Sequence, residues 1–230
     1  TVIPNGVDTK TFCPEGEPMS LATSKTFRFL FVGGTLERKG IDLLLKAYCQ
    51  TFTAQDDVVL VIKDNAPWST YGVTPYQEQI QWLLEDPNQP SVVYLKSSDF
   101  SESDMASLFR ACDIYIHPYR GEGFGLPILE AMACGLPVIV PDQGPAPEFC
   151  GAESSYFIPS FTTFLDHKFI EGFGSTQLYP FFYEVDVDRL AQTMKEIYLN
   201  PERLFEQGQK ARQQALKYDW TCIYARVWKE

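Results

Sequence analysis

Histidine is almost missing from this chain, with two residues in 230, and the six cysteines stand far apart at 13, 49, 112, 134, 150 and 222. They form no Cys-x-x-Cys pair, and no His/Cys/Asp cluster has metal-ligand spacing. No metal site and no disulfide framework is expected, and free thiols in a reducing compartment are. Basic residues are also scarce: 19 Lys and Arg against 30 Asp and Glu give a net charge of −11. With no long basic run, nucleic acid is excluded as an expected partner. No apolar run reaches the roughly 18 residues of a membrane span, and no signal peptide is visible. The expected location is cytoplasmic, with peripheral membrane attachment of a longer protein left open. Internal repeats and low-complexity tracts are missing too. The first residue is Thr, so a fragment of a longer protein is expected.

What is present is a regular β-α alternation. Short apolar runs at Phe27–Val32, Val58–Ile62, Val92–Leu95, Ile114–His117 and Val138–Val140 read as strands, and Tyr156–Ile158 as a short sixth. Helical spacing falls between them at Ile41–Phe52, Pro75–Leu84, Ser101–Ala111 and Leu126–Cys134, with Ser101 as a cap and Asp104 at the third helical position. Apolar strands separated by helices predict an α/β fold with a doubly wound parallel sheet buried on both faces. Ligands of such sheets bind beyond the carboxyl ends of the strands. The glycines Gly33-Gly34 and Gly121–Gly125 follow two of those ends.

Residues 151–186 break the pattern with aromatics such as Phe161, Phe164, Phe173, Tyr179 and Phe181 and little periodicity. Two readings stand: a packed excursion over the sheet edge, or an acceptor or partner surface. From Asp188 onward the chain reads as helical: Leu190–Leu199, Pro201–Tyr218 and Thr221–Trp228.

The densest chemical signal is Pro118–Gly135. Glu122 and Glu130 stand eight positions apart around a glycine-rich turn, and Leu126-Pro127 opens a helix. Gly121, Gly123 and Gly125 allow close backbone approach, and a helix N-terminus attracts phosphate. Carboxylates accept hydrogen bonds from hydroxyls. Phosphate donors flanked by hydroxyl acceptors suggest a nucleotide-sugar site. A glycosidase built on the two carboxylates is the competing reading, and the phosphate-type turn and Lys39 argue against it.

The segment resembles the Glu-x7-Glu signature of the family-4 (group 1) retaining glycosyltransferases, which have the GT-B fold. Val2–Asp8 resembles the entry to the C-terminal domain of these enzymes, and Phe31–Gly40 their first glycine-rich loop. Pro137–Val140 and Gly144–Glu148 resemble the strand and loop after the signature helix. The resemblance implies that residues 1–230 form a Rossmann-like donor-binding domain, with 151–186 an insertion and the N-terminal acceptor domain absent. It implies transfer of a sugar, with retention, from a nucleoside-diphosphate sugar to an acceptor hydroxyl. The acceptor is left open as saccharide, lipid-linked or protein, and no cofactor is needed beyond the donor substrate.

The same resemblance assigns roles. Glu130 accepts from the donor ribose. Glu122 binds hydroxyls of the transferred sugar and stabilises charge near its anomeric carbon. Gly123, Phe124, Gly125 and Leu126 present N–H groups to sugar and diphosphate, and Gly33 and Gly34 line the first loop. Lys39 aligns with the family's phosphate-binding lysine. Many members carry arginine where this chain has Gly34, and Arg38, beside Lys39, is the nearest substitute. That departure supports the alternative of a non-catalytic nucleotide-sugar binding or scaffold module. Lys96 and Ser97 mark the edge where the resemblance puts the nucleobase. Glu148 reads as a helix cap. His117 reads as a packing or hydrogen-bonded residue.

Overall fold

The computed structural model describes residues 3–65, 75–96, 99–166, 169–170 and 174–227. Val2, Ser97, Phe173 and Trp228, singled out above, lie outside them. Six strands, β1 (Phe27–Gly33), β2 (Val58–Asp64), β3 (Ser91–Lys96), β4 (Ile114–Ile116), β5 (Val138–Pro141) and β6 (Ser155–Ile158), form one sheet in the order β3-β2-β1-β4-β5-β6. Every neighbouring pair in it is parallel.

Alternate residues of the central strands feed two cores. Leu30, Val32, Val59 and Val61 pack with Leu108, Phe109, Leu129 and Met132. Phe29, Phe31, Leu60 and Ile62 pack with Leu44, Tyr48, Ile80 and Met194 on the other face. The first face carries α3 (Glu102–Arg110), α4 (Leu126–Ala133), α5 (Ala146–Phe149) and α7 (Leu204–Ala215). The second carries α1 (Ile41–Thr51), α2 (Pro75–Glu85) and α6 (Val187–Leu199). Burial on both faces explains why β2 is a continuous apolar run up to Ile62 rather than an alternating one. Each such side chain removed from water is worth about 1.5–3 kcal/mol.

This strand order has a consequence for ligands. The chain builds outward from β1 through β2 to β3, then crosses to β4 on the other side of β1. The loops after β1 and β4 therefore diverge, and a crevice opens between them at the carboxyl edge. Both glycine-rich loops sit there.

Local signals act as expected at α3. Ser101 Oγ accepts from Asp104 N at 3.2 Å and Asp104 Oδ2 from Ser101 N at 2.9 Å, a reciprocal capping box. Other details differ. The stretch 201–218 is broken into α7 between two short 3-10 turns. Glu148 lies inside the first turn of α5 and makes no capping bond. The sequence contains one Asp-x-Asp triplet, Asp186-Val187-Asp188. It starts a helix: Asp186 Oδ1 accepts from Arg189 N at 3.0 Å and caps α6.

In the 151–186 region, β6 joins the main sheet, and the rest builds two small antiparallel ladders. β7 (Ser160–Phe164) pairs with β10 (Phe181–Val185), and β8 (Phe169–Ile170) with β9 (Gly174–Ser175). Phe161, Phe164 and Phe181 remain more than half exposed, so these rings do not form the packed cover that was one of the two expectations. A two-stranded ladder has too little area to bury both of its faces. The last helix, α8 (Trp220–Val227), leaves Tyr224 exposed. Among the described residues no helix is long and apolar enough to cross a membrane.

Candidate nucleotide-sugar site

The first wall grows from β1. Gly33 ends the strand, Gly34 follows, and Thr35 is fixed by buried Asp64, which accepts from Thr35 N at 3.3 Å and from Thr35 Oγ1 at 3.2 Å. Glu37–Lys39 form a 3-10 turn that ends at Gly40 with φ +73°. A Cβ on Gly40 would lie 1.9 Å from the carbonyl oxygen of Pro118, so only glycine lets the two walls approach.

The second wall grows from β4. Buried His117 follows the strand, and residues 118–125 form the loop into α4. Backbone bonds stitch it to the first wall: Arg120 N and Gly121 N both donate to Arg38 O, at 2.9 and 3.2 Å. Arg38 Nη1 donates back to Gly121 O at 2.7 Å. Gly125, at φ +89°, starts α4 with no side chain capping it. The free N–H groups and the dipole at the start of α4 suit an anion. A Cβ on Gly123 would meet nothing within 4 Å, so the crevice is open there. The Phe124 ring is turned away, stacked on Phe149 at 5.1 Å.

A shielded ion pair joins the walls at the crevice. Lys39 Nζ contacts Glu122 Oε2, with the two side chains only 16% and 12% exposed. Burial raises the Glu122 pKa, but the hydrogen bond and charge of Lys39 outweigh it, and the net direction is down. Arg38 Nη1 stands 4.0 Å from the same oxygen and is half exposed. His117 Nε2 lies 3.7 Å from it on the inner side. Burial, then the positive charge of Lys39, push the His117 pKa down to about 3, so the ring is neutral at physiological pH.

Glu130 is separate from this pair. It occupies the second turn of α4, too far along for the first-turn dipole to account for it. Among the described residues nothing donates a hydrogen bond to its carboxylate. Burial, with a smaller contribution from Glu102, raises its pKa to about 7. The sign follows from linkage. Folding favours the protonated form, so the stability is fully present below the ordinary value near 4.5 and is lost as pH rises through about 7. Glu130→Gln, which mimics the protonated acid, is expected to stabilise the chain by about 3 kcal/mol at pH 8 and by less than about 1 kcal/mol at pH 5. Thermal melts at the two pH values check this, and an equal shift at both contradicts it.

Two residues carry more than the sequence conveys. His117 is buried, packed and in hydrogen-bond contact with the Tyr115 hydroxyl, as expected, and its Nε2 in addition faces the ion pair. Arg120 was not singled out, yet its buried guanidinium binds Asp42 of α1 in bidentate fashion at 2.7 and 2.8 Å and Glu184 of β10 at 2.7 and 3.0 Å. It also donates to Glu37 O at 2.9 Å. Arg120 therefore ties the site loop to the first wall and to the 151–186 region, and Tyr183 N adds a bond to Arg120 O at 2.9 Å. No local spacing announces such long-range pairs. The available signals were the position of His117 at a strand's carboxyl end and an arginine set among glycines.

The fold and these loops define a doubly wound α/β domain whose crevice carries a lysine, a glutamate and a helix N-terminus. The chain belongs to the glycosyl transferases group 1 family, whose sequence profile matches residues 17–162. It is 33% identical over 160 residues to a GDP-mannose-dependent monoacylated alpha-(1-6)-phosphatidylinositol monomannoside mannosyltransferase of Corynebacterium glutamicum, covering 64% of this chain and 39% of that protein. It shares its fold with Alr3699/HepE from Anabaena, solved with UDP-glucose, at a TM-score of 0.70 and 18% identity, covering 100% of this chain and 56% of that one. It also matches the C-terminal domain of the group 1 family protein LpcC from Francisella tularensis, at a TM-score of 0.67 and 19% identity, covering 94% of this chain and 100% of that domain. The chain spans less than half the length of the curated relatives it matches.

Proposed function

We propose that this chain is the donor-binding half of a glycosyltransferase that moves a sugar, with retention, from a nucleoside diphosphate to an acceptor hydroxyl. One observation carries the reading. Lys39, Glu122 and His117 converge beside the uncapped start of α4, at the carboxyl ends of the two strands that flank the crevice. Lys39, aided by Arg38, holds the diphosphate, and Gly33, Gly34 and the N–H groups of Gly123–Leu126 let it come close. Glu122 holds the transferred sugar and Glu130 the ribose diol. A GDP-mannose-dependent relative and a fold neighbour solved with UDP-glucose support a nucleotide-sugar donor.

In the reaction the acceptor oxygen bonds to the anomeric carbon as the bond from that carbon to the diphosphate oxygen breaks. The acceptor proton passes to an oxygen of the departing diphosphate on the same face. No protein nucleophile is used. The protein's contribution is positioning and stabilisation of developing charge: Lys39 and α4 at the leaving group, Glu122 at the sugar. The acceptor sits on the remainder of the protein. Saturation-transfer NMR with UDP-, GDP- and ADP-sugars side by side tests the reading. Transfer to ribose and anomeric protons of at least one donor supports it, and none from any donor sinks it. Donor hydrolysis by the longer protein separates an enzyme from a binding module without turnover.

A further inference from the structure

We propose that His117 is a positioning residue that takes hold of Glu122 when a diphosphate draws Lys39 away. The inference rests on the donor-site reading and adds to it a hand-over of the carboxylate from one partner to another. His117 is fully buried, and its Nε2 is a buried side-chain polar atom with no hydrogen-bond partner among the described residues. Leaving such an atom unpaired costs stability, so its persistence calls for a use.

The tautomer follows from its neighbours. The Tyr115 hydroxyl has one proton to give, either to Nδ1 at 2.7 Å or to Val32 O at 3.3 Å. On the opposite side Nε2 faces the Glu122 carboxylate at 3.7 Å. A lone pair on Nε2 would confront that negative oxygen, whereas an N–H is attracted to it. Tyr115 therefore donates to Nδ1, and Nε2 carries the proton. The rings of Phe31, Tyr115 and Tyr119, at 5.5, 5.9 and 5.8 Å, hold the imidazole in this orientation. The charged groups that face it are Glu122, Lys39 and Arg38.

In this structure Lys39 holds the carboxylate, and Nε2 is too far from it for a hydrogen bond. A diphosphate offers Lys39 a more highly charged partner. Glu122 then loses its ion-pair partner while still mostly buried. A shift of roughly 0.8 Å brings its oxygen onto Nε2–H, a charge-assisted bond that fixes the carboxylate where a sugar hydroxyl must meet it.

The test is a double-mutant cycle read by calorimetry with UDP and GDP on the whole chain. His117→Phe keeps an aromatic ring in the cluster and removes both nitrogens. It is expected to weaken nucleoside-diphosphate binding about tenfold in the parent but less than about twofold in a Glu122→Gln background. His117→Gln, which retains a donor, is expected to recover part of the loss. Equal loss in both backgrounds, as a merely structural ring would give, overturns the proposal, and so does no loss in either. A second measurement needs no variant at His117. The chain has only two histidines, so long-range proton–nitrogen NMR resolves the ring. Its Nε2 proton is expected to move downfield on addition of UDP or GDP, and a ring protonated at Nδ1 or left unmoved overturns the hand-over. If the parent chain binds neither UDP nor GDP, the donor-site reading fails first and this inference with it.

Discussion

A chain carrying Lys39→Ala is expected to bind UDP or GDP about tenfold to hundredfold more weakly than the parent, with affinity for the bare nucleoside unchanged within about twofold. A charge-assisted bond to phosphate is worth about 1.5–3 kcal/mol, and Lys39 is too shielded, at 16% exposure, for solvent to erase most of that. The upper part of the range is favoured. Without Lys39 the Glu122 carboxylate is left with Arg38 at 4.0 Å and His117 Nε2 at 3.7 Å, and its uncompensated charge repels the incoming diphosphate. Calorimetry with UDP, GDP and their nucleosides checks this. Equal losses for nucleotide and nucleoside would take Lys39 off the phosphate.

Glu122→Gln is expected to act in opposite directions on two ligands. Affinity for UDP or GDP rises about threefold to tenfold, because Lys39 no longer has to leave a partner and the phosphate no longer meets a carboxylate. Affinity for the matching sugar nucleotide, relative to its diphosphate, falls by about tenfold or more, because a charged acceptor for sugar hydroxyls becomes a neutral amide. Turnover by the longer protein should fall too, since Glu122 faces developing positive charge. Equal weakening of both ligands would mean that Glu122 supports the loop and does not discriminate between ligands. Signature spacing alone gives no reason for the diphosphate to sense Glu122; the ion pair with Lys39 supplies one.

Much of the architecture was readable from residue order. Phe29–Val32 of β1, Val58–Ile62 of β2, and β4 and β5 are continuous apolar segments, because burial on both faces leaves no room for polar alternation, whereas the edge strands β3 and β6 open on serine and are only partly buried. Leu126-Pro127 and Gly125 signalled the start of α4 because proline and positive-φ glycine suit few other places. Readable too was the placing of Gly33 and of Gly121–Gly125 at strand ends, from which the crevice follows once the strand order is known. Pairing across the crevice was not readable. Lys39 and Glu122 are 83 positions apart, and nothing in either motif states that they meet. The burial and hydrogen bonding of His117 are legible from its place at the end of a short buried strand, but its approach to Glu122 is not. Arg120 was hidden for the same reason as the ion pair: Asp42 and Glu184 lie 78 and 64 positions away. The 160–185 ladders escaped notice because their rings are exposed and carry no burial period.

The measurement that bears most directly on the central claim is a crystal structure of this chain with UDP-glucose or GDP-mannose, whichever binds. The account predicts the diphosphate between Lys39 and the first turn of α4, the ribose diol on Glu130, and the Lys39–Glu122 pair parted with Glu122 turned to the sugar. A wide depression of about 880 Å³ lies at the other end of the sheet, lined by Pro14, Arg110, Cys134 and Arg212. A donor bound there, or in the crevice with the Lys39–Glu122 pair intact and its phosphates away from α4, would contradict the account.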